Sequence, residues 1–307
     1  MNQPDILTGM IPVAPTVFTE DGELDLEGQA RTTDYLIDAE VDAICILANY
    51  SEQFSLDDAE RDAVIDVTLE RTAGRRPVMV TTSHYSARVA RQRVLQAQRA
   101  GAGLIMMMPP FFGATMRVDD DMIVEYFQRV MDGVEVDLMI QDAPLSSTPL
   151  STAVIARLAE EIPRLRYAKV EVARAADKLR TIGQAVGSRL PGLFDGEEGV
   201  TLLHDLQAGA VGSMASSSIP LELRRVVGAF ADGDEAIARG EWERLLPLIQ
   251  YENRQCGLQA AKILLKQGGI IASDAVRAPL RDVGAAHRVE MVAIARRADA
   301  FILRWAA

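Results

Sequence analysis

Eight short apolar runs recur along this chain, separated by amphipathic stretches with helical spacing, and that alternation constrains the fold more than any other feature. The runs cover residues 11–17, 43–47, 78–82, 104–108, 137–140, 166–170, 192–194 and 211–214. The stretches between them cover 26–39, 56–72, 87–100, 120–131, 152–160, 174–186 and 200–207. Runs this short and this apolar suit strands buried on both faces, with helices covering a parallel sheet. Each crossover is expected to be right-handed. Eight such units predict an α/β fold, a (β/α)₈ TIM barrel. An open doubly wound sheet is the alternative, but no Gly-x-Gly-x-x-Gly loop follows the first run. Ser55, ahead of Leu56-Asp57-Asp58, marks a helix start, and Gly101 and Gly209 mark helix ends.

Strand signals stop near Asp232. Beyond it, residues 235–249, 258–266 and 288–305 have helical spacing, punctuated by Gly268-Gly269 and Pro279. The expected division is a barrel over 1–231 and a C-terminal helical extension over 232–307.

A formal net charge of −12 over 307 residues argues against nucleic acid or an anionic membrane as partner. No apolar run is long enough to span a bilayer; the run over residues 104–108 ends at Pro109-Pro110. The segment Met1-Asn2-Gln3-Pro4-Asp5 has neither a basic nor an apolar leader region. Cys45 and Cys256 fall in no metal or redox spacing. A cytoplasmic protein is expected.

In a barrel, chemistry collects at the C-terminal ends of the strands. Those ends offer Pro15 and Thr16; Asn49, Tyr50, Ser51 and Glu52; Ser83, His84 and Tyr85; Pro109-Pro110-Phe111-Phe112; Gln141 and Asp142; Lys169 and Glu171; Asp195, Gly196, Glu197 and Glu198; and Ser213 with Ser216-Ser217-Ser218. Plain structural readings stand beside these. Asn49-Tyr50-Ser51 also suits a capped turn, His84 a structural hydrogen bond, Met106-Met107-Met108 barrel filling, and the serine run a helix cap. Asp195, Glu197 and Glu198 share one loop without ligand spacing from elsewhere, so no metal is expected.

Lysine occurs at only four positions, 169, 178, 262 and 266. Lys169 sits in Leu165-Arg166-Tyr167-Ala168-Lys169-Val170-Glu171, at the end of an expected strand. Burial disfavours the charged amine, so its pKa is expected to fall toward neutrality and free it to attack a carbonyl. Glu171, two residues on, lies on the same face. A lysine merely snorkelling from a strand end is the structural reading.

Tyr167-Ala168-Lys169-Val170-Glu171, Phe194-Asp195-Gly196-Glu197-Glu198 and Gly209-Ala210-Val211-Gly212-Ser213, in this order, resemble the dihydrodipicolinate synthase and N-acetylneuraminate lyase superfamily. The resemblance runs from about Gly9 to the C-terminus. It implies a (β/α)₈ enzyme in which Lys169 forms a Schiff base with a 2-keto acid, without metal or organic cofactor, in a homotetramer. The superfamily's usual Gly-Thr-Thr-Gly-Glu loop reads Ala48-Asn49-Tyr50-Ser51-Glu52 here, and its strand-five tyrosine position is Gln141. These departures, with Thr81-Thr82-Ser83-His84-Tyr85-Ser86, Tyr251-Glu252-Asn253-Arg254-Gln255-Cys256-Gly257 and Gly268-Gly269-Ile270-Ile271-Ala272-Ser273, resemble a branch that dehydrates 2-keto-3-deoxy sugar acids.

That resemblance implies Lys169 as nucleophile and Glu171 as acid/base. It places the substrate carboxylate at Tyr50 and Ser51 beside Asn49, and gives Gln141, His84 and Glu198 substrate contacts. Aldol cleavage needs a base at the C4 hydroxyl, whereas dehydration needs an acid there. An amide at position 141 transfers no proton readily, which disfavours cleavage. The alternatives are a class I aldolase and a catalytically silent sugar-acid binding paralogue. Retention of both Lys169 and Glu171 counts against the silent one.

Overall fold

The computed structural model describes residues 6–111 and 118–306. The segment Met1-Asn2-Gln3-Pro4-Asp5 and the candidate Phe112 lie outside the described residues. Eight strands run parallel: β1 (Gly9–Met10), β2 (Ile44–Ile46), β3 (Val78–Thr81), β4 (Leu104–Met107), β5 (Asp137–Asp142), β6 (Leu165–Val170), β7 (Gly192–Asp195) and β8 (Gly212–Ser213). Their order in the sheet is β1-β8-β7-β6-β5-β4-β3-β2. The ring closes just past β1. Val13 bridges Cys45 in parallel, with Cys45 N–H donating to the Pro12 carbonyl at 2.9 Å and Ala14 N–H to the Cys45 carbonyl at 2.8 Å. The barrel expected from the alternation is therefore present.

The first strand is shorter and earlier than the expected 11–17. Pro12 and Pro15 lack the N–H a ladder requires, so regular pairing ends at Met10 and only Val13 bridges beyond it.

Helices α1 (Leu26–Asp38), α2 (Asp58–Thr72), α3 (Ala87–Ala100), α4 (Asp120–Met131), α5 (Thr152–Glu161), α6 (Ala175–Val186), α7 (Leu202–Gln207) and α8 (Pro220–Ala231) follow the strands in turn. Gly101 closes α3 in the left-handed region at φ 101°, where glycine carries no steric penalty. Helix α2 begins later than Ser55 implied. Asp57 caps it reciprocally with Glu60, a capping box. The serine run does not cap α8, whose N-cap is Ile219 followed by Pro220.

The strand pleat sorts the apolar side chains into two layers. Cys45, Met79, Met106, Met139, Phe194 and Met214 fill the barrel. Met107, next to Met106, turns outward into the layer between sheet and helices. Three further helices, α9 (Glu235–Tyr251), α10 (Gln259–Gln267) and α11 (Ala285–Arg297), form the extension, with a π-helical turn at Glu252–Cys256. The last expected helix, 288–305, instead begins at Ala285 and stops at Arg297; Phe301–Leu303 is a separate 3₁₀ turn.

The extension is fastened to the catalytic end of the barrel. The buried Lys262 of α10 pairs with Glu52 of the loop after β2. Arg277 donates its backbone N–H to the same carboxylate at 3.0 Å, and its guanidinium pairs with Glu60. Among the described residues no helix is long and apolar enough to cross a membrane.

Candidate active site

A cavity of about 430 Å³ opens at the C-terminal ends of the strands. Tyr50, Gln141, Lys169, Glu171 and Glu198 line it from the barrel, and Leu258 and Arg277–Leu280 from the extension. Its size falls in the range of small-molecule sites.

Lys169 reaches the cavity from the penultimate position of β6, and its side chain is almost wholly buried. Gly196, just past β7, makes room for it. A Cβ there would lie 2.7 Å from Lys169 Cγ and 2.8 Å from Cε. Glu171 continues the ladder beyond β6, its N–H bonding the Asp142 carbonyl at 2.9 Å. Its Oε2 stands 3.3 Å from Lys169 Nζ. Gln141 is in register with Lys169 on β5 and donates from Nε2 to the same Oε2 at 2.8 Å. Gln141 Oε1 is buried without a protein partner. The amide thus holds Glu171 with one end and offers an acceptor with the other.

The lysine's charge state departs from the expectation. Burial pulls the Lys169 amine down, but Glu171, Glu198 and Cys45 together with the Glu171 hydrogen bond push it up by more, leaving it above its ordinary value. The free site therefore holds a protonated amine, which must pass a proton on before it attacks. Glu198 is held well above the usual carboxylate range, first by burial, then by Glu252, with Lys169 opposing. It adopts φ 55° and accepts the Ser216 N–H. The Tyr50 phenol is pushed up by burial and by Glu198, Glu252, Glu171 and Glu197, so it stays neutral as a donor.

Not every candidate reaches the cavity. Ser51 is buried behind it. Its hydroxyl donates to the Ala14 carbonyl at 2.6 Å and accepts the Ala48 N–H at 3.1 Å, and its own N–H bonds the Ala48 carbonyl at 2.9 Å. Asn49 does line the cavity, its Oδ1 accepting from Gln53 at 2.6 Å. His84 stands outside the cavity wall. Its Nδ1 accepts the Ser86 N–H at 2.9 Å, its ring stacks on Tyr85 at 4.4 Å, and partial burial followed by Arg93 lowers its pKa. Asp142 is engaged by Lys178, and Asp195 accepts from Ser213 at 2.6 Å. Among the described residues no three His, Cys, Asp or Glu side chains are arranged to hold a metal.

The site residues expected from the sequence include neither the wall supplied by Leu258 and Arg277–Leu280 nor Glu252, although the segment 251–257 carries part of the family resemblance. A signal for Glu252 exists in the pairing of Pro247 inside a helical run with Gly257 beyond it, which marks a broken helix.

Comparison with known proteins adds a second line. The model of the Dihydrodipicolinate synthetase family matches residues 6–298. The chain is 47% identical to L-2-keto-3-deoxyarabonate dehydratase of Azospirillum brasilense over 298 residues, 97% of this chain and 96% of that one. Dihydrodipicolinate synthase from Rhodopseudomonas palustris superposes with TM-score 0.86 at 28% identity, covering 94% of this chain and 97% of that one. A prophage protein of the dihydrodipicolinic acid synthase family from E. coli K12, solved with pyruvate, superposes with TM-score 0.88 at 26% identity, covering 96% and 100%.

Proposed function

The chain belongs to the dihydrodipicolinate synthetase family, and on that premise we propose that it is a Schiff-base dehydratase converting L-2-keto-3-deoxyarabonate to 2,5-dioxopentanoate and water. The observation that carries this reading is the placement of Glu171, 3.3 Å from Lys169 and held by an amide at 2.8 Å where the superfamily usually has a phenol. The close dehydratase relative supports the same reading.

The proposed sequence runs as follows. Lys169 gives a proton to Glu171 and attacks C2 of the substrate. Glu171 returns that proton to the C2 oxygen and then carries a second one from the nitrogen to the same oxygen, which leaves as water, and a protonated imine remains. This imine is the electron sink, so no further cofactor is needed. Glu171 then takes a C3 proton, and the enamine expels the C4 hydroxyl as water with a proton from Glu198. The Glu198 carboxylate next removes a C5 proton while Glu171 returns its own to C3, which resets both groups. The C5 enol becomes an aldehyde, and water frees the product from Lys169. Tyr50 and Asn49 receive the substrate carboxylate on a loop held by Ser51, Gln141 Oε1 accepts from a substrate hydroxyl, and His84 supports the neighbouring loop. We place this activity in the cytoplasm and in a homotetramer, which light scattering tests directly.

The test is proton NMR of the products from enantiopure L-2-keto-3-deoxyarabonate, with Lys169→Ala as control. The dioxo acid is expected from the wild type alone. Pyruvate plus glycolaldehyde would mean an aldolase, with Tyr50 as the proton relay.

A further inference from the structure

The π-helical turn Glu252–Cys256 breaks the run from α9 into α10, and irregular turns of this kind often occur at functional sites. What this one does is bury an acid. Glu252 is 3% exposed and comes from the extension, yet its partners belong to the barrel. The hydroxyls of Ser216 and Ser218 favour its charged form. Those two hydroxyls bond each other at 3.0 Å, and Ser216 N–H donates to Glu198. Ser216 thus links the two acids, its hydroxyl acting on Glu252 and its N–H donating to Glu198, and Glu252 acts on Glu198 directly through its charge. The second Glu252 oxygen, Oε1, is buried without a partner.

A buried carboxylate with an unpaired oxygen is disfavoured unless it carries a proton or shares one. Here a second carboxylate lies within electrostatic reach, and two like acids in one pocket do not both ionise near neutrality. The surroundings supply little cation to offset them. From the barrel the facing groups are Glu198, the Tyr50 phenol and, more distantly through Glu198, Lys169. On its own turn Cys256 feels Glu252, while Arg254 acts on Glu197. From α11, Arg288 acts on Cys256 and His287 bonds Tyr251 at 3.0 Å.

We propose that Glu252 is a positioning residue for the dehydration step, a buried acid that keeps Glu198 protonated so that Glu198 can donate to the departing C4 hydroxyl. This rests on the dehydratase reading above. The proton passes from the Glu198 carboxyl to the C4 oxygen as the C4–O bond breaks. Water leaves, and Glu198 remains a carboxylate until it takes the C5 proton. Glu252 exchanges no atom with the substrate. Burial lifts Glu252 to about 7, so around neutral pH its growing negative charge opposes ionisation of Glu198.

Replacing Glu252 by a neutral amide removes that opposition, so Glu198 should lose its proton at lower pH. In Glu252→Gln the alkaline limb of kcat for dioxo-acid formation is expected to move down by about one pH unit, with KM changed less than about three-fold. Glu252→Asp should restore part of the shift, and borohydride trapping of the pyruvate imine on Lys169 should persist in both. Infrared spectroscopy of the wild type is expected to show a protonated carboxyl band at neutral pH that Glu198→Gln removes. An unmoved limb in Glu252→Gln, or no such band in the wild type, overturns the proposal. A wild type that makes no dioxo acid overturns the dehydratase reading and this proposal with it, an outcome separately visible in the same product spectra.

Discussion

Two lysines lie buried in this protein, each against a glutamate, and they do opposite work. Lys262 and Glu52 are sealed, both side chains about 1% exposed. Each polar side-chain atom of that pair has a partner. Lys262 also donates to the Ala275 carbonyl at 2.8 Å and sits 4.4 Å over the Phe18 ring, while Glu52 takes the Arg277 N–H. Lys169 and Glu171 are 4% and 23% exposed at the side chain and border a cavity. Burial pulls Lys262 below its ordinary pKa although Glu52 opposes it, whereas the carboxylates around Lys169 carry it above. Low proton affinity therefore does not identify the amine with chemistry. Access to the cavity and spare carboxylates able to take its proton do.

The largest effect that would separate the pairs is on turnover. Glu171→Gln is expected to lower kcat by about 10²–10⁴-fold while pyruvate and borohydride still label Lys169. Unchanged kcat would remove Glu171 from the mechanism and leave the two pairs alike.

The sealed pair should fail in the other currency, stability. Lys262→Met strands the Glu52 carboxylate and is expected to cost about 3–5 kcal/mol in denaturant unfolding. Lys262→Met combined with Glu52→Gln should recover much of it, because neither charge is then left alone. Labelling of Lys169 per folded molecule should survive both. If labelling is lost from a folded double variant, the link between α10 and the loop after β2 is catalytic as well as structural.

The contrast between the pairs was only half legible in the sequence. Lysine is scarce enough that position 169, on a strand with a glutamate two residues on, stands out. The barrel was legible because strand and helix periods alternate eight times, and α3 and α4 begin and end where spacing and punctuation place them. The first strand was misplaced because apolar content outweighed two prolines. Lys262 gave no comparable signal. Its partner lies 210 residues away, and no local period reports a contact of that range. The same holds for Arg277–Leu280, which the extension delivers to the cavity, whereas Glu252 had a local signal in the broken helix around it. The direction of the Lys169 shift was missed for a related reason. Burial is readable from a strand, but Glu198 and Cys45, which help reverse its effect, come from other strands and loops.

The smallest effect probes that reversal directly. Imine formation requires the neutral amine, so trapping by borohydride with pyruvate should begin only as pH rises toward the Lys169 pKa. Glu171→Gln removes the strongest of the influences that raise it, together with a hydrogen bond to the charged form. With burial then less opposed, the amine should lose its proton more easily, and the onset of trapping should move to lower pH by about one unit. Glu52→Gln should leave the onset where it is, since Glu52 is not among the groups acting on Lys169. An onset that stays put in Glu171→Gln would mean that Glu198 and Cys45 alone hold the proton on Lys169. An onset that moves up would mean that trapping is limited by the loss of Glu171 as acceptor of the amine proton, and not by the proton affinity of Lys169 itself.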